Sequence, residues 1–331
     1  MATAGGPQTG RRRTGRVLLA VGVLPAVGAL PVTLVRLLGR DGVTPVAQVV
    51  GLTPFAGLVL LVAVLPLLVV AFPLRGPRWP AAVVVCALLL HGWWLVPRDV
   101  PAAPADGTSV TVMSVNARFG NADPGRVVEL VRDNGVDVLL VQELTPGLAA
   151  GLEASGLTGL LPEAVTTVRP GPDGTGTFTR WSQDRLPAPA TTFATVRSVV
   201  TVPGARPLTL TNAHTWPPLP GTVDRWRDDH RLLLEAVSEG PDPQVLAGDL
   251  NATRDHARFR ALTATGLRDA AARQVWARTW PANQLWPPLL ALDHVLVDPA
   301  TGVDQVQRFP VDGTDHLAVV AELTVARPPG A

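Results

Sequence analysis

The sequence predicts a composite α/β protein in which three apolar helices precede a domain of two packed sheets covered by helices. Three observations predict it. Residues 17–38, 45–72 and 80–96 are long apolar runs. Behind them, helical and strand-like patterns alternate without a continuous βαβ rhythm, which favours stacked sheets over a single parallel one. Four of the predicted strands also end in polar groups, at Asn116, Gln142-Glu143, Asn212-Ala213-His214 and Asp249-Leu250-Asn251. Chemistry is thereby gathered at one edge of the domain.

A hydrocarbon core of roughly 30 Å takes about 20 helical residues to cross, and each apolar run comes near that length. The mean hydropathy of +0.25 over 331 residues is high for a soluble enzyme. A cleaved signal peptide is the competing reading of the first run, given Arg11-Arg12-Arg13 before it. Two more runs follow, and Pro25 and Pro31 inside the first suit a spanning helix better than a soluble one. The third run carries Trp93-Trp94 near its end, where an aromatic belt sits, and places His91 at the interface.

Orientation follows from arginine. Arg11, Arg12, Arg13 and Arg16 precede the first run and Arg75 and Arg78 fill the second loop, so both face the cytoplasm. Three crossings then put a basic tail, 1–16, inside and everything after about residue 99 outside. A Pro/Ala/Gly-rich linker, 99–108, leads to an extracytoplasmic domain, 109–326. The lone Cys86 lies in the third run, so no disulfide supports that domain. A net charge of +1 does not suit a nucleic-acid partner held by charge alone.

Within the domain, strands are expected at 109–115 and 136–141 around a helix at 124–134, for which Asp123 is the N-cap and Pro124 the first helical residue. Strands follow at 164–168, 175–179, 192–202 and 207–214, then a helix at 223–239. Strand 244–249 precedes a helix at 255–263, and strands at 294–297, 305–309 and 317–323 close the domain. In a strand, residues two apart share a face, so Asp249 and Asn251 are expected to point together. By the same rule His294 faces away from Asp293.

Taken in order, Asn116, Gln142-Glu143, Asn212-Ala213-His214, Gly248-Asp249-Leu250-Asn251, Leu292-Asp293-His294 and Thr314-Asp315-His316 resemble the endonuclease/exonuclease/phosphatase superfamily. Three apolar runs ahead of such a domain are similar to its membrane-anchored branch, which includes vancomycin resistance protein J. The resemblance implies a four-layer α/β/β/α sandwich with its site at the strand ends, and hydrolysis assisted by Mg²⁺ (or Mn²⁺). It implies Glu143 as the principal metal ligand, with Asn116 and Asp315 beside it. Asp249 would orient or deprotonate the attacking water, Asn251 would donate to a phosphate oxygen, and Asp293 would hold His316 as an imidazolium. His214 would contact the phosphate from the other side.

Arg180 and Arg118 are candidates to clamp a phosphate, with solvated or structural roles left open, and His230 and His256 on helices read as solvated. Trp216, Trp280 and Trp286 sit in Pro-rich apolar segments that suit either a buried connection or a lip facing the membrane. The substrate expected from the resemblance is a lipid-linked phosphate, a polyprenyl (undecaprenyl) diphosphate of cell-wall recycling and glycopeptide resistance. A tethered nuclease, a sphingomyelinase-like phosphodiesterase and a non-catalytic receptor are the alternatives.

Overall fold

The computed structural model describes residues 7–104, 106–240 and 243–328, without the side chains of residues 7–9. The start of the basic tail and residue 105 of the linker lie outside the described residues. The chain divides into two units, Met1–Val96 and Pro97–Ala331.

The first unit is helical: α1 (Pro7–Leu38), α2 (Val46–Val50), α3 (Thr53–Ala71) and α4 (Trp79–Leu95). The expected run 45–72 is therefore two helices. Pro54 stands in the first turn of α3, and a proline there has no N–H to donate to the carbonyl four residues back, Val50, where α2 ends. Gly10–Leu38 and Thr53–Ala71 are long and apolar enough to cross a membrane, while α4 has 17 residues. His91 is buried in this unit, with its Nε2 3.0 Å from the Thr33 hydroxyl. Its ring fits because Gly57 faces it, where a Cβ would lie 2.7 Å from His91 Nδ1.

The second unit begins with β1 (Thr108–Asn116), α5 (Pro124–Asp133), β2 (Val138–Gln142), α6 (Pro146–Ala154), α7 (Leu157–Leu160), β3 (Glu163–Thr167) and β4 (Thr175–Thr179). It continues through β5 (Gln183–Leu186), β6 (Val196–Val200), β7 (Leu208–His214), α8 (Val223–Ser238) and β8 (Gln244–Asp249). It ends with α9 (Ala257–Ala264), β9 (Arg268–Asp269), β10 (Asp293–Val297), β11 (Thr301–Phe309) and β12 (Ala318–Val325). Asp123 caps α5 as its position requires, its carboxylate accepting from the backbone N–H groups of Gly125 and Arg126.

Two six-stranded sheets result, in the orders β11-β12-β1-β2-β4-β3 and β5-β6-β7-β8-β10-β9. Strand alternation decides how they stack. Val110 and Val112 of β1, Val138 and Leu140 of β2, Leu208 and Leu210 of β7, Val245 and Ala247 of β8, and Val295 and Val297 of β10 share one core between the sheets. The opposite faces of β1 and β2, with Met113, Val115, Leu139 and Val141, pack on α5, α6 and α7. With Trp226 of α8 and Phe259 of α9 buried on the far side, the layers are helix, sheet, sheet, helix.

This pattern positions the site. The inward apolar rows continue on the same strand faces into Asn116 of β1, Gln142 of β2, Asn212 and His214 of β7, and Asp249 of β8. Asp293 begins β10 in the same inward row as Val295, and β10 runs antiparallel to β8, pairing Asp293 with Asp249. The rows turn from apolar to polar at one edge.

Candidate active site

Asp249 is the centre of the cluster. Its Oδ2 accepts from Asn116 Nδ2 at 2.9 Å, and its Oδ1 accepts from the Asn251 backbone N–H at 2.8 Å. On the other side, His316 Nδ1 lies 2.8 Å from Asp293 Oδ2, and His316 Nε2 turns toward Asp249 Oδ2 at 3.8 Å. Thr314 orders this corner, its hydroxyl donating to the Asn116 carbonyl and accepting the His316 N–H. Below, Gln142 Nε2 donates to Asn212 Oδ1 at 2.7 Å, so two amides from different sheets form the floor.

The electrostatics separate the two histidines. Burial opposes charging of His316, but Asp293 outweighs it and lifts the imidazole to about 10, so it is an imidazolium at neutral pH. Burial, reinforced by that neighbouring charge, lowers His214 to about 4 and leaves it neutral. His214 Nδ1 sits 3.3 Å from the Pro172 carbonyl, which accepts the ring N–H there. Its other nitrogen then carries a lone pair into the site. Burial raises Asp249 to about 7, aided by Asp293 and opposed by His316, while Glu143 is raised chiefly by burial.

Whether the cluster suits a divalent cation is decided by its donors. His214 Nε2 lies 3.8 Å from Asp249 Oδ2 and 3.9 Å from Glu143 Oε1, so a neutral nitrogen and two carboxylates converge, with the Asn116 amide donating to Asp249 Oδ2 beside them. Such a set is repulsive unless a cation or proton sits within it. Asp249, Asp293 and His316 also offer ligand atoms within 4.8 Å of one another. His316, however, is charged, and an imidazolium has no lone pair to give. The donors therefore fit a metal on the Glu143 side, where a bound divalent ion would neutralise phosphoryl charge and polarise a water.

The remaining expected residues divide. Asp315 joins the site's rim, its Oδ2 accepting from Trp280 Nε1 at 3.1 Å. Trp216 stacks on Phe193, which stacks on His214, with centroids 4.9 and 4.5 Å apart. Trp286 is half-exposed, and Leu285 beside it is fully exposed. Asn251 is not on the Asp249 strand face: β8 ends at Asp249, Asn251 has a φ of 44°, and its Nδ2 donates to the Thr215 carbonyl at 2.9 Å. Arg180 is at the wrong end of the sheet. It follows β4, which runs antiparallel to β2, and it pairs with Asp137 at 3.3 Å, at the other end of β2 from Glu143.

His230 and His256 are buried rather than solvated, because both pack edge-on against the buried Trp226 ring. The contacts not anticipated from sequence are Phe193, Thr279 and Phe119, which follows the candidate Arg118 in a left-handed turn. Thr279 accepts both the Leu292 and Asp293 N–H groups. These lie in loops, where no periodicity marks them.

His294 faces away from Asp293 and meets Asp269 Oδ2 at 3.1 Å through Nδ1. Its Nε2 faces the carbonyls of Ala252 at 2.9 Å and Ala291 at 3.1 Å, so both ring nitrogens donate and the ring is charged. Burial opposes both charges, yet each raises the other's stability: Asp269 is held below, and His294 above, its ordinary pKa. Asp269 then favours the fold above the ordinary carboxylate value of about 4, and His294 favours it below about 6.5. Asp269→Asn is expected to cost about 3–5 kcal/mol near pH 5 and less as the pH rises through the raised value of His294. Thermal melts across that range check it; a pH-independent gap contradicts the pair.

Two stacked sheets flanked by helices, a buried carboxylate–imidazolium pair and a convergent set of metal donors define a metal-dependent phosphoester hydrolase. Residues 113–316 match the model of the Endonuclease/Exonuclease/phosphatase family, and the chain belongs to that family. Comparison with curated proteins returns no match. Among solved structures, an endonuclease/exonuclease/phosphatase from Beutenbergia cavernae is similar at 20% identity and a TM-score of 0.51, over 67% of this chain and 73% of that one. A humanized TDP2 of D. rerio aligns at 19% identity and a TM-score of 0.52, over 65% and 98% of the two chains. The 3′ phosphatase NExo from Neisseria, bound to a product DNA hairpin, aligns at 19% and 0.52, over 64% and 98%. At these identities the likeness shows the fold.

Proposed function

We propose that this protein is a membrane-anchored phosphoesterase that hydrolyses a lipid-linked phosphate, a polyprenyl (undecaprenyl) diphosphate, on the outer face of the membrane. One observation carries the reading. The chain that holds the site also holds two helices long and apolar enough to span a bilayer, and in the segment that follows Trp280, whose indole donates to Asp315, it exposes Leu285 and Trp286. A soluble substrate requires neither. The arginines of the N-terminal segment and of the loop before α4 support a cytoplasmic N-terminus.

In this reading Glu143, with Asn116 and Asp315 near it, holds Mg²⁺ or Mn²⁺. Asp249 takes the proton of the attacking water. Because Asp249 is buried, it is basic enough to accept that proton near neutral pH. His316, charged and fixed by Asp293, faces the same carboxylate and stabilises the charge that grows on the phosphoryl oxygens. His214 completes the donor set from β7, and Asn251, in the loop after β8 with its Nδ2 donating to the Thr215 carbonyl, is placed to position an oxygen. Hydrolysis of the lipid diphosphate links the protein to cell-wall precursor recycling and glycopeptide resistance, as in the membrane-anchored branch it resembles.

A tethered nuclease is the second reading, favoured by the DNA bound in the similar NExo structure. The detergent-solubilised protein, offered a long-chain prenyl diphosphate, a phosphodiester and single-stranded DNA with Mg²⁺, separates the two. We expect release of phosphate from the prenyl substrate, abolished by EDTA and restored by excess Mg²⁺. Cleavage of DNA alone returns the nuclease reading, and full activity in chelator removes Glu143 as a metal ligand.

A further inference from the structure

We propose that the turn at Arg118-Phe119 selects the substrate, Arg118 taking the oxygens of a phosphate group that does not react and Phe119 covering the apolar stem that carries it. The proposal rests on the lipid-phosphate reading above and narrows it to a substrate with two adjacent phosphates.

The backbone is the first observation. Arg118, Phe119 and Gly120 have φ values of 46°, 56° and 73°, three consecutive residues in the left-handed region. Glycine is at ease there, and at residue 120 nothing else fits, since a Cβ would lie 2.1 Å from Thr145 Oγ1. Arginine and phenylalanine are not at ease, and such strain persists only where the surroundings impose it. The surroundings are the site itself. Asn116 Oδ1 accepts the Arg118 N–H at 2.9 Å, and Glu143 Oε2 accepts the Phe119 N–H at 2.5 Å. The turn is thereby tied to two side chains that flank the metal position.

The side chains are the second observation. Neither offsets the strain by packing. Phe119 is 57% exposed, which is unusual for an aromatic ring in a turn bonded to a catalytic carboxylate. The Arg118 side chain is 51% exposed, and its one ionic partner among the described residues is Asp315, with Nε 3.7 Å from Oδ1. That is too long for a hydrogen bond, and exposed pairs of this kind contribute little. The terminal N–H groups of the guanidinium stay available at the rim, beside Asp315. A guanidinium presents a planar fork that matches phosphate oxygens bidentately, which an ammonium does not. An anion held there adjoins the reacting phosphate, and the ring one residue on meets what lies beyond it.

Inorganic pyrophosphate and inorganic phosphate, titrated calorimetrically with Mg²⁺ in excess into the full-length protein carrying Asp249→Asn so that turnover does not intervene, test Arg118. Arg118→Gln is expected to weaken pyrophosphate by about tenfold or more, the loss of one good charge-assisted contact, while phosphate shifts by less than about threefold. Arg118→Lys, which keeps the charge and loses the fork, is expected to fall between. Equal weakening of both anions, or of neither, overturns the assignment. Phe119→Gly is expected to raise the melting temperature by relieving the turn, yet to lower kcat/KM on a long-chain prenyl diphosphate. A lower melting temperature with unchanged kcat/KM places the ring in packing and overturns its role. Discrimination of the two anions through Arg118, with every prenyl diphosphate left intact by the parent protein, refutes the lipid reading and not the clamp.

Discussion

Replacing Asp293 by Asn, or His316 by Ala, is expected to slow turnover by about 10²–10⁴-fold, the range of a group that acts on charge or protons in the transition state. The reason is geometric. Asp293 Oδ2 and His316 Nδ1 are 2.8 Å apart, and this contact keeps the imidazole charged despite its burial. Asn at 293 retains shape and loses the charge, so the imidazole falls back toward neutrality and no longer offers a cation to the phosphoryl group. The double variant should lose little more than either single one, because residues that act as a unit are not additive. Steady-state kinetics of the four proteins decide it, and multiplicative losses would dissolve the pair.

The second large effect belongs to Asp249. Asp249→Asn is expected to cost about 10²–10⁴-fold in kcat, since the amide cannot accept the proton of water. The parent's pH profile carries the same information. Burial places the carboxyl at about 7, and only its ionised form acts as a base, so kcat/KM should fall as the pH drops below about 7. A cation held beside Glu143 favours the ionised form and moves that limb to lower pH, more so at higher metal concentration. The Asn variant should lose the limb altogether. An acid limb that persists unchanged in the Asn variant removes Asp249 as the base.

Much of this site was legible because strands alternate. A row such as Val245, Ala247 and Asp249 states its own turn from apolar to polar, and His294, out of phase with Asp293, falls on the other face as it should. The same rule misled at Asn251, where the strand had already ended and the chain had entered a left-handed turn. Arg180 could not be placed without topology: its distance in sequence from β2 does not reveal that β4 runs antiparallel and delivers it to the far end. His230 was readable in principle, since Trp226, His230, Leu233 and Val237 form a buried helical stripe. Phe193 was not, for it reaches His214 from a loop. In the first unit, a single apolar run from 45 to 72 concealed a break before α3, because hydropathy does not register the helical hydrogen bond that Pro54 cannot make to Val50.

A lipid substrate requires an apolar surface to meet its stem, and the exposed segment at Leu285 and Trp286 is the proposed one. Leu285→Ser and Trp286→Ala in one variant test it, because both side chains are exposed and their removal should leave the melting temperature close to the parent's. The measurement is kcat/KM on a long-chain prenyl diphosphate in mixed micelles, beside kcat/KM on a water-soluble phosphoester. A loss of about tenfold or more is expected on the lipid, roughly the worth of one or two buried apolar side chains, with no change on the soluble ester. Equal rates for variant and parent on both substrates, at equal melting temperature, would contradict it.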